Sequence, residues 1–346
     1  ESCMAYMNSK VFMCIAQITM PTINFKCGVI KNLPDLRIQD VNIHKLVKSN
    51  ISISKTDWDN HETSWNFKTN RLLEIKKELP SNSIEELQTI HKEKWLDNYR
   101  KLKQNEEAIN KLFILHYGLQ DELTPDVPLD EVTILQQGEI SIEKSEKIIW
   151  HDDVIIKQFI SYLVGCFMGR YSVDKPGLII ANQHQDLSSL DLQVDGIENS
   201  PRSTLSIDDD GIVPIIQEPD FFADDMTERI QLAIKTLFGE EQYYENIKYI
   251  EQTIGKSLRD YLYKDYYADH QQMYSVKGAK RPIYWLFSSR MGDKHKKGYF
   301  KALVYMHRME ADTLSKLHAE YVHPYINKVE QQLREAEEET LRDDLT

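Results

Sequence analysis

The sequence contains none of the short motifs that mark the common catalytic and cofactor-binding sites. It has no GxxxxGK[ST] phosphate loop, no HExxH zinc helix, no GxSxG nucleophile elbow and no GxGxxG dinucleotide turn. Glycine is scarce, with 13 residues among 346, and no glycine-rich loop that could cradle a phosphate is present. We therefore expect no catalytic residue, no cofactor-binding residue and no metal ligand in this chain.

Cysteine is also rare, and long apolar runs are missing. None of the four cysteines forms a CxxC pair, which predicts reduced thiols and a cytoplasmic location. The longest apolar stretch, residues 154–168, is interrupted by Lys157 and Gln158 and is shorter than the roughly 20 residues that a bilayer requires. No charged leader and cleavage site follow Glu1, so we expect neither a signal peptide nor a membrane partner.

Both ends of the sequence are typical of a fragment. Apolar residues begin directly after Glu1, and the last stretch, LREAEEETLRDDLT, favours helix to the final residue without a glycine or proline stop. We therefore expect the chain to be a piece of a longer protein.

The residues that are abundant favour helices. Proline is limited to 11 residues while Lys, Glu, Leu and Ile are plentiful, which predicts an α+β fold that is predominantly α-helical and built from helical bundles. Ser83 and Glu86 form a capping-box pattern before a long helical pattern, in two helices or one bent one, that ends near Tyr117. Further helices are expected at 152–171, 224–238, 240–254 and 257–267, with two more separated near Pro324. Extended structure is expected as a small antiparallel hairpin near 283–305 and a short segment near 22–34.

Composition along the chain suggests four consecutive segments. They are residues 1–45, the end of a region resembling a target-recognition domain; 46–150, a helical spacer; 151–268, a helical C-terminal region; and 269–346, a basic hairpin followed by terminal helices.

Charge is distributed unevenly. The whole chain has a net charge of −13, yet residues 277–308 contain nine lysines and arginines against one aspartate. Aromatic residues, among them Trp285, are interleaved with this positive charge. Such a segment is typical of a surface that contacts a phosphate backbone and stacks on bases. The alternative is that IYWLF (283–287) is a core strand and the lysines form a solvated loop.

Three weaker patterns have structural explanations that we favour. Pro34-Asp35 with Glu74-Ile75-Lys76 resembles a PD…ExK metal nuclease, but ExK is common in chains rich in Lys and Glu. The run 208–211 (DDDG) lacks the alternating ligands and the distal glutamate of a calcium loop, which favours an acidic turn. His151-Asp152-Asp153 is expected to cap the following helix.

Several blocks, in the same order, resemble one family. They are DWDNHETSWNF (57–67), ISYLVGCFMGRYSVDKPGLI (160–179), FFADDMTERI (221–230), LFGEEQYYENIKYIEQTIGKSLRDYL (237–262), KRPIYWLFSS (280–289) and YFKALVYMHRMEADTLSKLHAEYVHP (299–324). Together they resemble the C-terminal half of the BREX phage-defence adenine-specific DNA methyltransferases of the PglX type. Residues 7–34 resemble the end of a target-recognition region.

The resemblance implies a parent protein that transfers a methyl group from S-adenosylmethionine to N6 of adenine in double-stranded DNA, with the base flipped out of the duplex. Such enzymes carry an Asn-Pro-Pro-Tyr/Phe motif and a glycine-rich cofactor turn, and the sequence contains neither. The catalytic domain is therefore expected upstream of Glu1, and no cofactor is expected to bind this chain. The upstream domain and other BREX proteins are the implied protein partners.

For this chain the expected task is DNA handling. The candidate DNA-binding residues are Lys280, Arg281, Trp285, Arg290, Lys294, Lys296, Lys297, Lys301, Asn24 and Lys26. The alternative function is a helical protein–protein interaction module that docks other defence-system components without direct DNA contact.

Overall fold

Helices dominate the computed structural model, which describes residues 1–19, 27–31, 38, 41–198, 201–219, 221–289 and 299–343. In chain order the helices are α1 (Ser2–Met7), α2 (Lys10–Thr19), α3 (Cys27–Ile30), α4 (Val41–Asp59), α5 (Arg71–Glu78), α6 (Ile84–Tyr117), α7 (Asp152–Phe167), α8 (Met226–Phe238), α9 (Tyr243–Ile254), α10 (Leu258–Lys264), α11 (Tyr266–Met273), α12 (Thr313–Lys316) and α13 (His323–Asp343). A π-helical turn, Leu317–Val322, joins α12 to α13. Within the described ranges, no helix combines the length and apolarity needed to cross a bilayer.

The strands are short and form small antiparallel sheets. They are β1 (Ile140–Ile142), β2 (Ile148–Trp150), β3 (Ile212–Pro214), β4 (Ser275–Val276), β5 (Ala279–Lys280), β6 (Tyr284–Ser288) and β7 (Lys301–Tyr305). β1 pairs with β2, β4 pairs with β5, and the third sheet has the order β3-β7-β6. In that sheet Tyr284 lies opposite Tyr305. The predicted α+β class and the predicted hairpin near 283–305 are both confirmed.

The chain divides into two compact units that do not follow its order. The first unit contains Glu1–Ser64 and Thr89–Asp152, and the second contains Trp65–Gln88 and Asp153–Thr346. The division falls within α6, whose first five residues belong to the second unit. The four consecutive segments inferred from composition stay a prediction.

Aromatic residues hold together the core of the first unit. The Tyr6 ring of α1 lies 5.4 Å from the Phe12 ring of α2 and 5.6 Å from the Phe113 ring of α6. A second cluster is built on Trp95 and Tyr99, which are one helical turn apart on α6. These side chains belong to the apolar face that the 3–4 residue spacing predicts.

The second unit is built around α7, which is buried on nearly all sides. Eleven of its sixteen residues are buried, as expected for a helix that is apolar around its whole circumference. Gly165 in α7 and Gly169 just after it leave room for neighbouring side chains. A Cβ at Gly165 would lie 2.5 Å from a ring carbon of Tyr171, and Gly169 has a φ of +84°, which ends the helical run.

The start of α6 is capped from two directions, both within the second unit. The Ser83 hydroxyl accepts a hydrogen bond from Glu86 N (3.3 Å), which is half of the predicted capping box. Asn246 of α9 supplies more: its Oδ1 accepts from Ile84 N and its Nδ2 donates to Asn82 O, each at 2.9 Å. The helix then continues without a break to Tyr117.

Two expectations about secondary structure were wrong in part. Cys27–Ile30 lies in the segment expected to be extended, but it forms one helical turn. The nearest prolines in the sequence, Pro21 and Pro34, are too far from this turn to prevent it. Apart from this turn and Lys31, residues 22–34 lie outside the described residues. Pro324 does not separate two helices, because it is the second residue of α13 and the π-helical turn Leu317–Val322 runs directly into that helix.

Candidate nucleic-acid interface

A short hairpin carries the first basic residues of the positive segment. Val276 of β4 lies opposite Ala279 of β5, and Lys277 and Gly278 connect them. These two residues have φ values of +50° and +80°, as in a type I′ turn, which matches the twist of paired strands. The turn places the Lys277 side chain at the tip of the hairpin.

Lys277, Lys280 and Arg281 offer positive charge that is not neutralised locally. All three are exposed, and in the part of the chain that is described none of them has a carboxylate partner. Lys280 Nζ donates only to the neutral Gln271 Oε1, at 3.1 Å. An exposed cation without an acidic partner is available to a phosphate.

A buried histidine fixes the strand that follows this hairpin. His270 Nε2 accepts hydrogen bonds from Ile283 N (3.1 Å) and Tyr284 N (3.3 Å), and its ring stacks on that of Tyr284 with 4.7 Å between the ring centres. Burial, together with the nearby positive charge of Arg170, lowers the pKa of His270 to about 3. The imidazole is therefore neutral, and α11 anchors β6 through an uncharged acceptor.

Two of the predicted DNA-binding residues, Trp285 and Lys301, lie in the β3-β7-β6 sheet and differ in how accessible they are. Trp285 on the outer strand β6 is 46% exposed, so its indole is accessible. Lys301 on β7 is engaged: its Nζ donates to Tyr263 O at 2.5 Å and lies 3.9 Å from the centre of the Tyr263 ring. Its ammonium therefore stabilises the fold and is less available to DNA than Lys280.

The other candidate DNA-binding residues lie outside the described residues. They are Arg290, Lys294, Lys296, Lys297, Asn24 and Lys26. The structure thus brings Lys280 and Arg281 together, puts Trp285 on the neighbouring strand and assigns Lys301 to an internal contact.

Arg308 is the last basic residue of the positive segment, and its side chain contacts the acidic run at 208–211. Arg308 Nη2 donates to Asp209 O at 2.5 Å. Asp208 Oδ2 accepts from Arg229 at 2.9 Å, and its Oδ1 accepts from Gly211 N at 2.6 Å. The three carboxylates of 208–210 lie within 4.8 Å of one another. Two guanidinium groups lie beside this cluster, and the expectation of an acidic turn rather than a calcium loop stays a prediction.

In the nuclease-like pattern, Lys76 makes contacts with neighbouring residues of the fold. Lys76 Nζ donates to Ser81 O (2.8 Å) and Asn82 Oδ1 (2.6 Å). Its ammonium also lies 5.0 Å from the centre of the Phe238 ring. This lysine therefore secures the end of α5, while Asp35 lies outside the described residues.

One charged residue near the interface was missed at the sequence level. Arg170 follows α7, and its guanidinium donates to the hydroxyls of Tyr171 and Tyr305. A signal did exist, because Arg170 is the only charged residue in 158–173. An isolated charge in an apolar run needs a partner or an outlet to solvent.

Comparison with known proteins gives a consistent result. No family model matches the chain. The adenine-specific methyltransferase PglX of Lacticaseibacillus casei (strain Zhang) is 33% identical over 342 residues, covering 96% of this chain. The adenine-specific methyltransferase BrxX of Escherichia coli O9:H4 (strain HS) is 33% identical over 339 residues, covering 93%. The chain spans 26% of the length of each. By sequence, the chain is therefore similar to about a quarter of the adenine-specific methyltransferases PglX and BrxX.

Proposed function

We propose that this chain is a DNA-contacting part of an adenine-N6-specific DNA methyltransferase of a BREX-type phage-defence system. In this proposal the parent uses S-adenosylmethionine, and the methyl-transfer domain lies upstream of this chain. Double-stranded DNA and that upstream domain are the partners, and the cytoplasm is the compartment. The sequence has no Asn-Pro-Pro motif and no glycine-rich cofactor turn, so the isolated chain is expected to be inactive.

The observation that carries the proposal is the basic hairpin. Lys277, Lys280 and Arg281 are exposed and lack carboxylate partners among the described residues, in a chain whose net charge is −13. Cations that are not neutralised within an acidic protein attract polyanions to one place on its surface. Phosphate contacts of this kind fix the position and register of a protein on the duplex without reading its sequence.

Such contacts match what an adenine methyltransferase needs. N6 of adenine is hydrogen-bonded within the duplex, so the base has to leave the stack before a methyl group can reach it. A part of the enzyme that grips the backbone beside the target holds the duplex while the base is flipped. Trp285, half-exposed on β6, offers a ring on which an unpaired base can stack.

Binding of this chain to a duplex of about 30 base pairs, measured across a series of salt concentrations, tests the proposal. Replacing Lys277, Lys280 and Arg281 with glutamine should weaken binding to every sequence. Each lost phosphate contact should reduce the slope of log affinity against log salt by about 0.9. In the intact parent, charge reversal at Lys296 and Lys297 should flatten the same slope.

A matched control removes the same type of charge from lysines that are already paired. Lys264 Nζ lies 2.8 Å from Asp260 and Lys316 Nζ lies 3.1 Å from Asp312, so glutamine at both lysines should leave the salt slope unchanged. An unchanged slope in the hairpin variant, or equal losses in the hairpin and control variants, would refute the assignment.

A second candidate function rests on a different surface. Ile326, Val329 and Leu333 are exposed on α13 at spacings of three and four residues, which puts them on one face. An exposed apolar face on an acidic helix favours a protein interface, as expected of a module that docks other defence-system proteins. Negligible retention of duplex DNA by the chain at low salt would favour this function over the first.

A further inference from the structure

Arg170 occupies a position that the backbone fixes closely. It follows Gly169, whose φ is +84°, and Arg170 N donates to Gly165 O at 2.8 Å at the end of α7. The chain reverses here, and Ile179 N donates back to Arg170 O at 2.9 Å. The guanidinium therefore projects from a defined point rather than from a loose loop.

The guanidinium itself is held by neutral groups. Arg170 Nε donates to the Tyr171 hydroxyl at 3.0 Å, Nη1 donates to the Tyr305 hydroxyl at 3.4 Å, and Cζ lies 5.3 Å from the centre of the Tyr171 ring. The Tyr305 hydroxyl donates onward to Ile180 O at 2.5 Å, so its oxygen is oriented to accept from the arginine. The fork of donors is thus set before any ligand arrives, which lowers the entropy that binding would cost.

Nothing in the described part of the chain neutralises this charge with a carboxylate. Burial raises the pKa of Tyr305, so its phenol remains uncharged. Burial and the Arg170 charge lower the pKa values of His270 and His307, which disfavours a second positive charge on either ring. Three other inward-facing guanidiniums each lie near a carboxylate, those of Arg229, Arg259 and Arg308.

Unused donors accompany the unpaired charge. Arg170 is partly exposed, and its Nη2 has no acceptor among the residues described. His270 accepts two backbone N–H groups at Nε2, so its proton must be on Nδ1. That buried Nδ1–H likewise has no acceptor in the described residues, although the residue is only 1% exposed. The partly exposed Arg170 Nη2 is the donor that a ligand with several acceptors can reach.

We propose that Arg170 is the anchor of an anion site that takes a phosphate group. A phosphate presents several oxygen acceptors to the planar fork of a guanidinium, which binds such groups in a bidentate manner. The inference rests on the proposed DNA-contacting function, because a phosphodiester of the duplex is the expected source. Free inorganic phosphate has the same chemistry and is the alternative source.

Binding of this chain to the same duplex separates Arg170 from general charge. Glutamine at Arg170 should weaken binding by about tenfold at low salt and reduce the salt slope by about 0.9. Lysine at Arg170 keeps the charge and loses the fork, so it should preserve the slope and lose part of the affinity. Arg100→Gln is the control, because it removes an equal charge from an exposed residue whose nearest acid is Asp97, at 3.4 Å. Binding by the Arg170→Gln variant equal to that of the unmodified chain overturns the proposal.

A second arm uses inorganic phosphate and reads out His307, whose pKa is lowered by burial and by the nearby charge of Arg170. Addition of phosphate should shift the ring-proton resonances of His307 in a saturable way, and the shift should disappear in Arg170→Gln. Should the unmodified chain fail to bind duplex at any salt concentration, the proposed function fails. An Arg170-dependent shift of His307 would then assign the site to free phosphate. If the glutamine variant does not fold, no shift in the unmodified chain together with unchanged DNA binding by Arg170→Lys overturns the anion site.

Discussion

Replacing His270 with glutamine should make the free energy of unfolding of the second compact unit less dependent on pH. In the folded chain, burial and Arg170 lower the pKa of His270 from 6.5 to about 3. The imidazole is therefore protonated in the unfolded chain at pH values where the folded chain keeps it neutral. A histidine with a lowered pKa stabilises the fold above pH 6.5, and that stability is lost as the pH falls towards 3.

The magnitude follows from the two pKa values. Between pH 7 and pH 5, protonation of the unfolded histidine should reduce the free energy of unfolding by about 2 kcal/mol. Glutamine cannot be protonated, so this loss should be missing from the variant. The variant retains a side-chain oxygen that can accept from Ile283 N, which limits the structural damage at pH 7.

Denaturant unfolding at pH 7 and pH 5 measures this difference. The unmodified chain should lose about 2 kcal/mol more than the variant over this range. His318→Gln replaces an exposed histidine of the same unit and serves as the control for the substitution itself. Buried acids that titrate in the same range contribute equally to both proteins and cancel in the comparison. Equal losses in the His270 variant and the unmodified chain would refute the inference that His270 is neutral and buried.

Two further predictions concern the core of the second unit. Asn246→Ala should lower the free energy of unfolding by about 2–4 kcal/mol, because Ile84 N and Asn82 O lose their partners; denaturant midpoints measure the loss, and a change below 0.5 kcal/mol would contradict it. Gly165→Ala should cost about 1–3 kcal/mol, because its methyl group would overlap the ring of Tyr171; thermal unfolding measures the shift, and an unchanged midpoint would show that the ring yields freely.

Local sequence patterns predicted much of the fold. The ends of α8 and α9 follow directly from Gly239 and Gly255, both with positive φ. The apolar face of α6 and the hairpin of β6 and β7 were likewise visible as spacing and alternation. These features depend on residues close together in the chain, where propensity and periodicity act.

The parts that were missed depend on contacts between distant residues. Nothing near Asn246 in the sequence indicates that its side chain caps a helix that begins at Ile84. Lys301 looked like its basic neighbours, and only the position of Tyr263 distinguishes it. Arg170 is recognisable as a site only because separate segments bring neutral tyrosines, rather than a carboxylate, to its guanidinium.

The outer position of β6 in its sheet has a consequence for how the chain behaves in solution. Among the described strands β6 is at the edge of its sheet, and an edge strand with a half-exposed Trp285 favours pairing with the same strand of a second copy. Positive charge at Lys280 and Arg281, directly before this strand, makes two copies repel each other there. Removing that charge should therefore favour self-association as well as weaken DNA binding. A loss of DNA binding by the hairpin variants is attributed to lost phosphate contacts only where light scattering shows that the variant is monodisperse.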